Sequence, residues 1–365
     1  MQIFSKNYDY NPTSVEFQFF DENSLLFDIE TTGLSKKNHQ IYLIGCAHRS
    51  AEKITIHQFF AESPAEEADI ILEFLQLAGK YKKLITFNGK RFDIPFVLEK
   101  CSYYHFDSHL LPPDHLDIYL ECKKIKALLG LNSCKQTSVE AFLGIQRKDL
   151  YDGGQLIQVY KDYVISKSSE ALDLLLLHNY EDVAKMVEIL PILSYHEMLH
   201  IPLEVTSFEI KEYTDLSGVA QQELSFHTKI PVTLPVAIHI HRPYVHLFLK
   251  EDNLHGTILL YQGTLNHYLP NYKEYVYLPK EDMVVLKSMA SCIPTCEKEK
   301  ATAENCCIHK DGFFIPLPDH IQLSDDIYLF YDSPKSGSPF MLYDTETVDA
   351  SFLEQYLFCF LQNLS

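Results

Sequence analysis

The chain has 365 residues, 46% of them hydrophobic, and a formal charge of −19 at pH 7. That length and apolar content exclude a disordered polymer, allow a large buried core and favour two domains over one. No apolar run reaches the roughly 18 residues of a membrane span, and the opening MQIFSKNYDYNPTSVEF lacks the charged-then-apolar order of a signal peptide, so the expectation is a soluble, cytoplasmic protein. The acidity argues against a general nucleic-acid-coating protein, because such affinity comes from Lys and Arg neutralising phosphates. Residues 1–200 hold 20 basic and 28 acidic side chains and residues 201–365 hold 11 and 22, so any phosphate contact must be local. The nine cysteines are odd in number and irregular in spacing, which favours reduced thiols over a disulfide framework.

Residues 24–30 (SLLFDIE), 40–48 (QIYLIGCAH) and 53–60 (KITIHQFF) read as three strands rich in β-branched and aromatic residues, with Gly33, Ser35 and Asn38 marking the first turn. Ser63-Pro64-Ala65-Glu66 is a capping box with proline at the first helical position, and the helical spacing of apolar residues continues through Leu77. LITFNG (84–89) is a short buried strand, 91–101 a helix and HLDIYL (115–120) another strand. Helices follow at 138–143, 154–165 and 169–190. Three consecutive strands and then helix–strand–helix–strand imply a mixed α/β sheet, part antiparallel and part parallel.

Past about residue 195 the pattern changes. Residues 234–249, 256–262, 274–278 and 312–316 read as strands separated by Pro, Asn and Gly turns, and only 349–363 returns to a helix with one apolar face. The expected organisation is a domain at 1–198 and a β-rich (α+β) domain at 199–365.

The chemistry lies in three stretches. In FDIETTG (27–33) the two-residue period of a strand turns Phe27 and Ile29 to one face and Asp28 and Glu30 to the other. Two carboxylates on one face of an apolar strand repel and resist desolvation unless something positive joins them. An Asp-x-Glu triplet alone is expected about once by chance in such a chain, so its weight comes from ending a Leu-Leu-Phe-Asp-Ile strand before a glycine turn. FNGKRFDIPF (87–96) puts Asp93 in a helix-opening segment that is otherwise hydrophobic. In LLLLHNYEDVAKM (174–186), His178 and Asp182 lie four residues apart on one helix face; a surface His–Asp pair is the plain alternative. If Asp28, Glu30, Asp93 and Asp182 converge, four negative charges match two divalent cations, with Mg2+ or Mn2+ preferred by hard oxygen ligands. Such a pair stabilises the attacking and leaving oxygens of phosphoryl displacement, and the near-neutral basicity of His178 suits a general base.

FDIETTG, FNGKRFD and HNYED, in that order, resemble the three exonuclease motifs of the DEDD (DnaQ-like) branch of the ribonuclease H-like superfamily whose last motif carries His. SVEAFLGIQRKDLYDGG (138–154) and LLLLHNYEDV (174–183) resemble bacterial YprB-type proteins more closely. The resemblance covers about residues 20–195. It implies a five-stranded ribonuclease H-like sheet, two metals, 3′→5′ exonuclease ancestry, Asp28, Glu30, Asp93 and Asp182 as ligands and His178 as base. Asn88 and Gly89 then make a turn from which Lys90 and Arg91 reach a substrate phosphate, unless they are solvated cations.

The resulting reading is a metal-dependent nuclease acting on DNA or RNA, most naturally at single-stranded ends. The alternative is a nucleic-acid- or protein-binding module that keeps the fold without useful catalysis. Other features have plainer readings. Asp117 is a further active-site carboxylate or a helix cap; Tyr180, two residues from His178, faces elsewhere on the helix; Arg147 and Asp149 form a structural ion pair; His239, His241 and His246 are solvated strand histidines; Cys292, Cys296, Cys306 and Cys307 lack paired C-x-x-C knuckles and are free thiols rather than a zinc site.

Overall fold

The computed structural model describes residues 1–9, 18–51, 53–147, 153–214, 218–324 and 326–364. The chain divides into one compact unit of Met1–Glu197 with Val232–Val236 and a second of Met198–Pro231 with Ala237–Ser365. No helix among the described residues is long and apolar enough to cross a membrane.

The first unit is built on a six-stranded sheet in the order β1-β4-β3-β2-β5-β6. Its strands are β1 (Gln2–Asp9), β2 (Ser24–Thr31), β3 (Ile41–Ser50), β4 (Lys53–Phe60), β5 (Lys83–Thr86) and β6 (Asp114–Asp117). β1 through β4 pair antiparallel, whereas β2, β5 and β6 run parallel. The mixed sheet is the expected one with a sixth strand added. β1 pairs with β4 along all eight of its residues, but as an edge strand it leaves most side chains exposed and carries little of the hydrophobic signal by which a strand is recognised.

Two ends differ from the sequence reading because side-chain hydrogen bonding overrides apolar content. β5 stops at Thr86, and Phe87 to Gly89 belong to a turn. β6 stops at Asp117, which caps helix α3 (Ile118–Lys124) by accepting from the Tyr119 N–H at 3.1 Å. Likewise the capping box at Ser63 does not form: Ser63 makes no side-chain cap, Pro64–Glu66 is a 3₁₀ turn, and α1 runs over Glu67–Ala78. Glu66 instead reaches back to the Glu62 N–H at 2.7 Å and to the N-terminal amine.

Helices cover both sheet faces. α1 and α2 (Asp93–Tyr104) bury Leu25, Phe27 and Ile29 of β2 with Ile44 and Cys46 of β3. On the opposite face, α5 (Gly153–Ser166) and α6 (Ser169–Glu188) pack with Leu43 and Phe60, α5 contributing Leu156, Tyr160 and Tyr163. Between them in sequence lie α3 and α4 (Gln136–Leu143). Ser168 caps α6 through the Ala171 N–H.

The second unit is β-rich. β7 (Glu204–Thr214), β8 (Ala220–His241) and β9 (Val245–Leu259) form one sheet. The expected single strand at 234–249 is therefore the two arms of a hairpin, closed by reciprocal Arg242 and Val245 backbone bonds. β10 (Tyr261–Tyr268), β14 (Cys307–Pro316), β16 (Phe340–Leu342) and β15 (Leu329–Phe330) form a second sheet, while β11 (Tyr275–Leu278), β12 (Met283–Leu286) and β13 (Glu299–Lys300) make a third. α7 (Ala350–Gln362) is capped by Asp349 and buries Phe352, Leu353, Tyr356, Leu357 and Leu361, the face expected from its spacing.

Candidate active site

β2 is the axis of the site. On its β5 side the parallel ladder ends at the Leu26 and Ile85 pair, which releases the main chain of Ile29. The Ile29 N–H donates to Asp93 Oδ1 at 3.1 Å, so the first residue of α2 reaches the last turn of β2. β2 thus has an antiparallel neighbour on one side and a parallel one on the other, and the carboxyl ends of such strands are the usual ligand position in open α/β sheets.

Asp28 and Glu30 project to the α6 side, as the alternation predicts. His178 Nε2 lies 3.5 Å from Glu30 Oε1 and 3.3 Å from Asp182 Oδ2. One ligand atom from each of Glu30, His178 and Asp182 lies within 4.8 Å of the others, and among the described residues this is the group of His, Cys, Asp and Glu side chains with metal-like spacing. Asp28 and Asp93 fall outside that close trio. They are nonetheless in the same electrostatic field: burial pushes the Asp28 carboxyl well above its usual range, reinforced by the charges of Asp93, Asp182 and Glu30. Burial likewise pushes Asp93 up to about 7, with Asp117 and Asp182 adding to it and the N–H bonds of Ile29 and Asp93 opposing it.

The FNGKRFD turn is held from outside by Asp117. Its Oδ1 accepts from the Asn88 N–H at 2.8 Å and its Oδ2 from the Lys90 N–H at 3.0 Å, while Asn88 takes a left-handed φ of 63°. A Cβ on Gly89 would lie 2.4 Å from Thr86 Oγ1, so only glycine fits this turn. Asp117 is thus a helix cap and turn anchor. Lys90 and Arg91 are exposed.

Further side chains complete the site. Arg147 forks onto Glu140 at 2.6 and 2.7 Å and places Nη1 2.5 Å from Asp182 Oδ1; Asp149, its expected partner, lies outside the described residues. Asn179 joins Gln58 and Asp28, opposite Gly45, which pairs with both Asp28 and Gln58 across the sheet. The available signal was Gln58 itself, a polar residue in the register of buried Ile54, Ile56 and Phe60. Elsewhere, Tyr180 sits against Lys6, away from the carboxylates, and His239, His241 and His246 are exposed. All nine cysteines are free thiols, Cys292 and Cys296 exposed, Cys306 and Cys307 buried.

A model of the RNase_H superfamily matches residues 25–194, from β2 through α6. This segment has the ribonuclease H-like fold. None of the curated proteins compared with the chain matches it. Among solved structures, the chain is similar to a family B DNA polymerase from the archaeon Pyrobaculum calidifontis, at 11% identity and a TM-score of 0.39 over 71% of this chain and 34% of the polymerase. It is also similar to E. coli exonuclease I in complex with a dT13 oligonucleotide, at 12% identity and a TM-score of 0.29 over 57% of this chain and 55% of the exonuclease. The zinc-bound exonuclease I–ssDNA complex aligns over 79% of this chain and 64% of that one, at 12% identity and a TM-score of 0.29. The chain therefore spans about a third of the polymerase and less than two thirds of exonuclease I.

Proposed function

We propose that the ribonuclease H-like unit is a divalent-metal-dependent nuclease that hydrolyses phosphodiester bonds of DNA or RNA, working 3′→5′ from single-stranded ends. The observation that supports it most is the approach of Glu30, His178 and Asp182 to within 4.8 Å beside the half-buried Asp28 and the buried Asp93. Carboxylate oxygens are hard donors that fit Mg2+ or Mn2+, and His178 stands beside them as a base. In this reading Asp28, Glu30, Asp93 and Asp182 hold two ions, which when bound supply stabilisation of the attacking and leaving oxygens.

The chain's own groups do the rest. His178 Nε2, 3.5 Å from Glu30 Oε1 and 3.3 Å from Asp182 Oδ2, takes the proton of the attacking water. Asp93, bonded to the β2 backbone, couples the start of α2 to the strand. Lys90 and Arg91 contact a substrate phosphate at the rim.

Purified protein given Mg2+ or Mn2+ and end-labelled single- and double-stranded DNA and RNA is expected to release nucleotides, and Asp28→Ala to lose that activity. Release that persists unchanged in the variant removes the assignment. The binding-module reading draws on Arg147, whose guanidinium already engages Asp182. Calorimetric titration with manganese separates the two: a scaffold without catalysis has no need to retain two divalent sites, so absence of manganese binding at neutral pH favours the module.

A further inference from the structure

We infer that Asn179 is a positioning residue for Asp28, fixed by a one-way chain of amides that starts at the Leu176 carbonyl. The inference rests on the metal-dependent reading of the site. The direction of the chain follows from which atoms can donate. A main-chain carbonyl only accepts, so the Gln58 atom 2.8 Å from Leu176 O is the amide nitrogen Nε2. The same nitrogen lies 3.1 Å from Asn179, which must present its oxygen, Oδ1, to receive the second N–H. Asn179 then has its nitrogen left for Asp28, and Nδ2 lies 3.3 Å from Asp28 Oδ2. Neither amide can turn over without setting donor against donor or acceptor against acceptor.

The surroundings enforce the arrangement. Gln58 and Asn179 are buried, at 4% and 0% exposure, so water does not repair a mismatch. Leu176 and Asn179 lie one turn apart on α6, and Gln58 grips both. Asp28, Gly45 and Gln58 form one cross-strand row, and a Cβ on Gly45 would sit 2.1 Å from Asn179 Oδ1. The missing side chain at position 45 is what lets the helix amide lie down between the two strands. The outcome is that one oxygen of Asp28 is held by a donor whose polarity was chosen two residues away. This fixes the rotation of the carboxylate and leaves its other oxygen, Oδ1, to an ion.

A merely structural amide pair would clamp α6 to the sheet and affect melting alone; a positioning pair also sets metal affinity. The experiment is manganese titration calorimetry on the full chain, with melting temperatures recorded beside it, for wild type, Gln58→Met, Asn179→Ala and the double variant. Partners that orient ligands typically contribute about tenfold to a hundredfold in metal affinity. Asn179→Ala is expected to lose that much, Gln58→Met less, and the double variant no more than Asn179→Ala, because both act through one chain of bonds. If Asn179→Ala fails to fold, Gln58→Met decides the matter, since that side chain touches no proposed ligand. Wild-type protein that binds manganese with variants that bind it equally well overturns the positioning role alone. Wild-type protein that binds no manganese overturns the metal reading and the positioning role with it.

Discussion

The two faces of β2 carry opposite chemistry. Phe27 is fully buried and its ring meets Phe74 of α1 at 4.9 Å, while the next residue, Asp28, faces Asn179 on the other side of the same strand. One face is supported by the apolar helices α1 and α2, and the other spends that stability on crowded carboxylates. A strand is suited to this because its backbone is rigid and its side chains alternate, so a stabilising row and a costly row share one set of main-chain bonds. The difference teaches that charge can be concentrated here because the opposite row needs no water.

If the faces are independent in this way, substitutions on each should have separable effects. Asp28→Asn is expected to reduce turnover by at least about a thousandfold, the several kcal/mol that a metal site supplies, while the metal-free melting temperature stays level or rises because a buried charge is gone. Nuclease assays and thermal melts on one sample check both halves. Phe27→Ala is expected to do the reverse, losing about 3–5 kcal/mol of stability in denaturant titrations, with activity per folded molecule falling far less. A large loss of metal affinity in folded Phe27→Ala protein would break the separation.

The cost of the carboxylate face is also visible in pH. Asp28 and Asp93 are both raised above the ordinary 3.8 by burial, Asp93 to about 7, so up to about that pH the native state keeps a proton on Asp93 that the unfolded chain has released, and Asp28 acts in the same direction. Their favourable contribution is complete below the unfolded value and is lost as pH rises through the folded one. Metal-free protein is therefore expected to melt at lower temperature at pH 8 than at pH 5, manganese to oppose the fall, and Asp93→Asn to flatten it. A slope unchanged by Asp93→Asn would show that the carboxylate face carries no such cost.

Smaller effects sharpen the comparison at its margins. Gly45→Ala would overpack the row between strand and helix and is expected to lose about 1–3 kcal/mol, measurable as a shifted denaturation midpoint. Lys90→Ala and Arg91→Ala lie outside both faces. Each is expected to raise KM several-fold with kcat unchanged and to reduce the salt dependence of binding by about one counterion, read from KM at several salt concentrations.

Much of this was legible from residue order. The alternation in SLLFDIE assigned Asp28 and Glu30 to the face opposite Phe27 and Ile29, and the four-residue spacing placed His178 over Asp182, because both patterns depend only on local geometry. What stayed hidden depends on pairing between distant segments. Nothing local to Gln58 says that β4 lies beside β3 with Gly45 between it and Asp28. Arg147 meets Asp182 only once the chain has folded α4 against α6. β1 was invisible for the opposite reason: as an edge strand it buries no side chain fully, so it leaves no strong period. In the second unit Arg242 and Pro243 stand where the hairpin reverses, but the similar apolar alternation on either side of them reads as one continuous strand.

Asp117 secures the Asn88–Lys90 turn through amide hydrogens rather than through anything those residues carry beyond Cβ. Positions 90 and 91 are consequently free to vary in charge, length or bulk while their anchor points stay put. A lineage carrying this architecture can vary the charge of this rim, one substitution at a time, and leave the grouping of Glu30, His178 and Asp182 undisturbed.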